Sequence, residues 1–187
     1  MVDSMNSDID AARGVLGLSS WELANGLYGR PLVKEDLDSL LAIGASDPEF
    51  AWERDLQGRA YFENLLSFRM DHYTKYGFGV HGVWYESEMI GQFGLQVLDE
   101  QLDEVEIVVF LHNRFVSRGF GSALVDFALA NSRRQSMRRL FGLVRTDNVA
   151  GRKLMKKYAG VPRGQVDHFG FEADVFIIEL DDSRKER

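Results

Sequence analysis

The chain contains no cysteine, which excludes disulfide bonds, thiolate metal sites and a cysteine nucleophile. It also lacks any run of about 18 apolar residues, so the sequence predicts no membrane-spanning helix. Its four histidines, His72, His81, His112 and His168, are scattered without metal-ligand spacing. Residues 1–12 are polar and acidic, without the basic and apolar parts of a signal peptide. We therefore expect a cytoplasmic protein that binds no metal.

Positive charge is in deficit, with 22 lysines and arginines against 29 acidic residues and a net charge of −7. This balance argues against a nucleic-acid-binding surface and mildly favours a cationic partner such as an amine. The 187 residues are 45% hydrophobic and show no internal repeat, so the chain can bury one ordinary core. We expect a loose N-terminus at 1–12, a single domain at 13–180 and a polar tail at 181–187. The sequence leaves the oligomeric state open, a homodimer included.

The spacing of the apolar residues changes along the chain from helical to alternating. The first part predicts an edge strand at 23–32, a short helix at 34–42, and a helix that starts at Asp47-Pro48, breaks near Gly58 and ends near Tyr76. Strands follow at 79–85, 89–98 and 105–111, then a helix to about residue 130, a strand at 140–144, a helix at 149–158 and a strand at 173–180. This order predicts an α+β or mixed α/β fold, with a central, mostly antiparallel mixed sheet flanked by helices.

The most informative segment is 114–125, the turn between the strand at 105–111 and the following helix. Gly119 and Gly121 have no side chain that could block a close ligand. The unpaired N–H groups of a helix's first turn point at an anion, and the helix dipole adds about half a positive charge there. The pattern predicts a pyrophosphate site at 117–122. The alternative is a tight turn that binds no ligand.

Two other phosphate-binding motifs do not fit this turn. A dinucleotide-binding turn needs a third glycine, here near Leu124, and an acidic residue about 20 positions later. The third glycine is absent, and the residues after Ala130 are basic. A Walker-type loop would need Gly-Lys-Ser/Thr, which the chain lacks. A dinucleotide-dependent enzyme is therefore a disfavoured alternative.

Several motifs, in order along the chain, resemble those of the GNAT superfamily of acetyl-CoA-dependent N-acetyltransferases, in the branch that acetylates ribosomal-protein N-termini. The similarity covers roughly residues 79–180 and lies in the segments Met89–Leu95, Glu106–Val109, Val116–Gly121, Asn148–Gly151 and Asp174–Leu180. The chain departs from the family pattern at Val116, where an arginine or glutamine is usual. It also has Gly151 and Met155 where relatives often carry serine, alanine or a nearby tyrosine.

The resemblance implies acetyl-CoA as co-substrate, with its pyrophosphate on the backbone N–H groups of the turn and its pantetheine arm along the 105–111 strand. Arg118 would supply the charge that Val116 lacks. Asn148 has the alternative role of a helix cap, alone or together with cofactor contact. The implied cofactor-binding residues are Phe110, Leu111, Ser117, Arg118, Gly119, Phe120, Gly121, Ser122 and Asn148.

The resemblance also implies Glu106 as the base that takes a proton from the attacking amine, directly or through a water. The alternatives are a solvated or arginine-paired glutamate at this position, or Glu104 as the base, two residues earlier on the same face. Tyr158 is the candidate acid for the departing thiolate, with a partly buried core tyrosine as its alternative. A strand N–H near Phe110 would stabilise the oxyanion. Without cysteine, direct attack in a ternary complex is the expected route.

The motifs therefore predict an N-acetyltransferase that acts on a primary amine, either a protein N-terminus or a small molecule. The alternative is a non-catalytic acyl-CoA-binding or sensor module with the same fold, which the departures at Val116 and Met155 keep open. We expect the N-terminal helices and the final hairpin to form the acceptor pocket. Neither a metal nor a nucleic acid is expected to take part.

Overall fold

The computed structural model describes residues 7–46, 58–168 and 171–180, which form an eight-stranded sheet with helices on both faces. The strands are β1 (Trp21–Glu22), β2 (Leu27–Pro31), β3 (Val80–Tyr85), β4 (Glu88–Asp99), β5 (Glu104–Leu111), β6 (Arg139–Arg145), β7 (Gly164–His168) and β8 (Phe171–Glu179). The α-helices are α1 (Asp8–Val15), α2 (Leu37–Ser46), α3 (Arg59–Tyr76), α4 (Phe120–Arg134) and α5 (Val149–Ala159). Short 3-10 helices at Lys34–Asp36 and Asn113–Phe115 precede α2 and follow β5.

The strand order in the sheet is β1-β2-β3-β4-β5-β6-β8-β7. Neighbouring strands are antiparallel except β5 and β6, which are parallel. The chain passes from β5 to β6 through α4, because a parallel pair needs a crossover connection. The strands β3, β4 and β5 form the predicted antiparallel meander. The predicted fold class, a mostly antiparallel mixed sheet flanked by helices, is confirmed.

Two apolar clusters lie on opposite faces of the sheet, because successive side chains of a strand point to opposite sides. The larger cluster packs α1, α4 and α5 against the sheet around the buried Phe93, Leu124 and Phe176. The smaller cluster packs α2 and α3 on the other face around Leu40 and Phe62. Full burial of a side chain of this size contributes about 1.5–3 kcal/mol, so the two clusters fix the sheet between its helix layers.

The N-terminus differs from the sequence-based expectation. Residues 8–12 belong to α1 rather than to a loose segment, and the helix packs in the larger cluster through Ile9, Ala12 and Val15. The acidic composition of this segment favoured the prediction of a loose segment, although its apolar residues form one buried face of a short helix. The predicted helix start at Asp47-Pro48 and the predicted tail at 181–187 lie outside the described residues.

Both ends of the sheet also differ from the expectation. The predicted edge strand at 23–32 is shortened to β2 and lies inside the sheet, because β1 pairs with its outer side. β7 has no counterpart among the predicted strands. Its described side chains, residues 164–167, are exposed and lack an alternating apolar pattern, so no periodic signal marks them.

Candidate active site

A cleft opens in the sheet between β5 and β6. The two strands pair at Glu106↔Phe141. Beyond this pair β5 continues to Leu111 and β6 to Arg145, but no further residues of the two strands pair with each other. The side chains at 105–107 are buried, and those at 108–111 are half-buried. The cleft therefore widens toward the end of β5, where the turn into α4 begins.

Alternate residues of β5 direct their backbone N–H groups toward this cleft. The N–H of His112, the residue after β5, donates to the carbonyl of Ile90 on β4 at 2.8 Å. Because hydrogen bonding alternates in an antiparallel ladder, Phe110 also directs its N–H toward β4, whereas Val109 and Leu111 direct theirs toward β6. Of the two predicted edge residues, Leu111 therefore has its backbone on the cleft side. The side chain of Phe110 packs against the smaller apolar cluster.

The turn before α4 presents backbone N–H groups on an open surface. Ser117 and Gly119 have positive φ angles of 65° and 84°, which curve the chain into a concave array of amides. A Cβ built on Gly119 would meet no atom within 4 Å. Among the described residues no side chain caps α4, and its first turn carries no acidic residue. The N–H groups of this turn are therefore available to an anion.

Arg118 brings a positive charge to the turn. Its guanidinium carbon lies 5.2, 5.3 and 5.1 Å from the ring centroids of Tyr85, Phe115 and Phe120. Cation–π attraction to three rings holds this exposed side chain near the turn. Gly121 has a different role, since a Cβ there would lie 3.2 Å from a leucine of α5. It allows the close approach of α4 and α5.

Glu106 lies at the narrow end of the cleft and is 6% exposed. Its carboxylate accepts a hydrogen bond from Nε2 of Gln96 at 2.6 Å, and the backbone N–H of Leu143 on β6 acts on it electrostatically. Burial raises the pKa of Glu106, and the bond from Gln96, the charge of Arg69 and the Leu143 N–H lower it in part. A carboxylate with a raised pKa takes up a proton more readily at neutral pH. The surroundings of Glu106 suit a general base.

Arg69 and Gln96, which the sequence motifs did not single out, complete these surroundings. Arg69 is buried on α3, and its Nη1 donates to Oε1 of Gln96. Burial lowers the pKa of Arg69. Gln96 thus joins the guanidinium to the carboxylate of Glu106. The signal for Gln96 was present in the sequence, because folding the chain about the middle of the predicted turn at 99–103 sets Gln96 opposite Glu106, as observed.

Tyr158 and Asn148 lie at α5, beside the turn. The hydroxyl of Tyr158 donates to the carbonyl of Ser122 at 3.1 Å and accepts from Nζ of Lys157 at 2.9 Å, so it ties α5 to the first turn of α4. Oδ1 of Asn148 accepts from the N–H of Gly151 at 2.8 Å, which caps α5. The cap predicted as one role of Asn148 is present.

Other charged residues near the cleft form ion pairs. Glu104 pairs with Arg139 on β6 at 3.7 Å, and Arg152 on α5 pairs with Asp174 on β8 at 2.7 Å. Within residues 7–46, 58–168 and 171–180, no group of three or more His, Asp or Glu side chains could hold a metal ion. In the same part of the chain, no helix combines the length and the apolar character needed to cross a membrane.

The chain matches the model of a known protein family. The model of the acetyltransferase (GNAT) domain matches residues 27–160, more than half of the chain. No curated protein sequence matches it.

Solved structures share the fold at low sequence identity. RimL, a ribosomal L7/L12 alpha-N-protein acetyltransferase in complex with coenzyme A, matches with a TM-score of 0.71 and 14% identity over 87% of this chain and 100% of its own. RimJ from Mycobacterium smegmatis, in complex with CoA-disulfide, matches at 0.66 and 15% over 90% and 88% of the two chains. The yncA protein from Salmonella typhimurium, with its cofactor acetyl-CoA, matches at 0.62 and 16% over 87% and 99%.

Proposed function

The chain belongs to the GNAT acetyltransferase family, and we propose that it transfers the acetyl group of acetyl-CoA to a primary amine, either a protein N-terminus or a small molecule. The observation that carries this proposal is the position of an open amide turn and a buried glutamate along one strand. The turn at 117–122 follows β5, and Glu106 lies where β5 and β6 separate. A donor held by the turn would extend along the cleft toward the glutamate.

The residues of the turn fit a diphosphate. Their N–H groups and the positive end of α4 favour an anion, and Arg118 adds a full charge. The pantetheine arm would hydrogen-bond to the backbone of Val109 and Leu111 on the cleft side of β5. Asn148 would offer its amide NH₂ to the cofactor while its carbonyl oxygen caps α5. When bound, acetyl-CoA supplies the activated acetyl thioester.

Glu106 is the proposed base. Only the neutral amine attacks a thioester, so the ammonium must first lose a proton. Glu106 takes that proton, directly or through a water, in a buried site where its pKa is raised. An N–H of Val109 or Leu111 on the cleft side stabilises the charge that develops on the carbonyl oxygen. With no cysteine in the chain, transfer is direct.

Tyr158 is the proposed acid for the departing thiolate, and we assign it a smaller share of catalysis than Glu106. Its hydroxyl lies against the first turn of α4, next to the ammonium of Lys157. A thiol has an ordinary pKa near 8.5, so the thiolate leaves with little assistance.

The test combines cofactor binding with turnover. We expect isothermal titration to detect acetyl-CoA binding, and Glu106→Gln to keep that affinity within about twofold. The variant should lower kcat by about 10²–10⁴ at neutral pH on an amine that the wild type acetylates, because it removes the base. Glu104→Gln is the matched control, since Glu104 lies on the same face of β5 and pairs with Arg139.

Three results would contradict parts of this proposal. Absence of acetyl-CoA binding at millimolar concentration would end the cofactor assignment. Binding without transfer to any of a panel of amines, including N-terminal peptides, would favour a sensor module. Wild-type turnover in Glu106→Gln would remove Glu106 from the mechanism.

A further inference from the structure

The half-buried Gln96 joins two buried charged residues, Arg69 and Glu106, through a chain of hydrogen bonds on the α3 face of the sheet. Arg69 is 9% exposed and Glu106 is 6% exposed. The guanidinium donates to Oε1 of Gln96, and Nε2 of the same amide donates to Glu106 Oε2 at 2.6 Å. Buried charged groups are costly unless they are paired, so this chain lowers the cost of holding two ions inside the protein.

The two ends of the chain fix the orientation of the amide between them. A guanidinium only donates hydrogen bonds and a carboxylate only accepts them. The carbonyl of Gln96 must therefore face Arg69, and its NH₂ must face Glu106. The nearby charge polarises the amide and strengthens its bond to the carboxylate. A protonated Glu106 would lose part of this stabilisation, so the arrangement favours the ionised form.

Three other titratable groups on α3 and β5, His72, Tyr73 and Glu104, have partners of their own. On α3, His72 accepts from the N–H of Val97 through Nε2 and bonds the carbonyl of Phe78 through Nδ1. Glu104, on the same face of β5, pairs with Arg139 of β6 at 3.7 Å. Arg69 is therefore the cation that acts on Glu106, with Gln96 as its link.

We propose that Gln96 and Arg69 are positioning residues that hold Glu106 as an ionised carboxylate at the narrow end of the cleft. The inference rests on the proposed function, in which Glu106 is the base. Neither residue touches the reacting atoms in this assignment. Their effect on turnover passes through the protonation and orientation of Glu106.

The test is the pH profile of kcat/KM for the wild type and for Gln96→Glu. This isosteric change sets a second carboxylate about 2.6 Å from Glu106, so the pair shares a proton and its upper apparent pKa rises. We expect the acidic limb to move to higher pH by one unit or more, and the rate to recover at pH values above the new limb. Arg69→Lys keeps the charge and should shift the limb less than Arg69→Met.

Each outcome decides one assignment. An unshifted acidic limb in a folded Gln96→Glu protein, whether the rate is normal or lowered equally at every pH, overturns the positioning role. Thermal unfolding of each variant confirms that it is folded, and if Arg69→Met does not fold, the profile of Gln96→Glu still decides. Glu106→Gln separates the proposed function from the positioning role. Wild-type turnover in Glu106→Gln would refute Glu106 as the base. An inactive Glu106→Gln, together with an unshifted acidic limb in Gln96→Glu, would refute the positioning role alone.

Discussion

The N-termini of α1 and α4 show two opposite ways to begin a helix. At α1, Oγ of Ser7 accepts from the N–H groups of Ile9 and Asp10 at 3.2 and 3.4 Å. The carboxylate of Asp103, from the β4–β5 turn, accepts from the N–H groups of Asp8 and Ile9 at 2.8 and 3.0 Å. At α4 the residue before the helix is Gly119, and no side chain of the described chain caps it.

The contrast shows that this fold has the means to satisfy a helix start with its own carboxylates. At α1 the N–H groups are closed by a serine and by an aspartate that comes from far along the chain. The start of α4 lies at the open end of the cleft and receives neither. An unsatisfied set of amides beside a cation, Arg118, is suited to an external anion and is the proposed site of the diphosphate.

A negative charge placed at the start of α4 should have the largest effect on acetyl-CoA binding. In Gly119→Asp the new carboxylate would stand at the proposed diphosphate site, and like-charge repulsion should weaken acetyl-CoA binding by at least about 100-fold, or about 2.7 kcal/mol. Isothermal titration measures this change. Space is not limiting, because a Cβ at Gly119 meets no atom within 4 Å.

Gly119→Asn is the matched control for this variant. Asparagine has nearly the same shape and tolerates positive φ about as well as aspartate, so both variants share the backbone strain at φ 84°. We expect Gly119→Asn to weaken binding by less than about tenfold. Equal affinities in the two variants would show that no anion binds at this turn.

Weakening the cap at the start of α1 should lower the stability of the protein without changing its affinity for acetyl-CoA. Asp103→Asn keeps the shape and suits the positive φ of 54°. It removes one acceptor from the carboxylate and the charge that faces Arg138 Nη2 at 2.7 Å. We expect a loss of about 1–2 kcal/mol in the free energy of unfolding, measured in urea, with unchanged acetyl-CoA affinity. Asp99→Asn, in the same turn, should cost less than about 0.5 kcal/mol.

The comparison of the wild type with Asp103→Asn also predicts how stability depends on pH. Partial burial alone would raise the pKa of Asp103, but hydrogen bonds from Ser7, Ile9 and Asp8 and the charge of Arg138 bring that pKa below its ordinary value. A lowered folded pKa gives stability that is complete above the unfolded value of about 3.9 and is lost as the pH falls through the folded value. The stability difference between wild type and Asp103→Asn should therefore shrink below about pH 4. A difference that grows with acid would contradict this role.

Local signals were enough to predict the meander and the turn before α4. The strands β3, β4 and β5 alternate in hydrophobicity between short polar turns, and the glycines of the turn follow directly on β5. The bond from Arg69 to Gln96 was not predictable, because it joins side chains 27 positions apart and depends on how α3 packs on the sheet. The cap at α1 is a stronger case, since Asp103 lies 95 positions from the N–H of Asp8.

Substitutions of Asn148, which caps α5, should have the smallest effect on binding and stability. Asn148 combines the two kinds of helix start, because it caps its helix and is also proposed to contact the cofactor. Its Oδ1 caps the helix through the N–H of Gly151, and its NH₂ is the proposed cofactor donor. Asn148→Asp keeps an acceptor for the cap but loses the donor, so acetyl-CoA affinity should fall severalfold while the free energy of unfolding stays within about 0.5 kcal/mol. Asn148→Ala loses both and should also unfold about 1 kcal/mol more easily. Unchanged affinity in Asn148→Asp would leave Asn148 as a cap alone, and the start of α5 would then belong with that of α1.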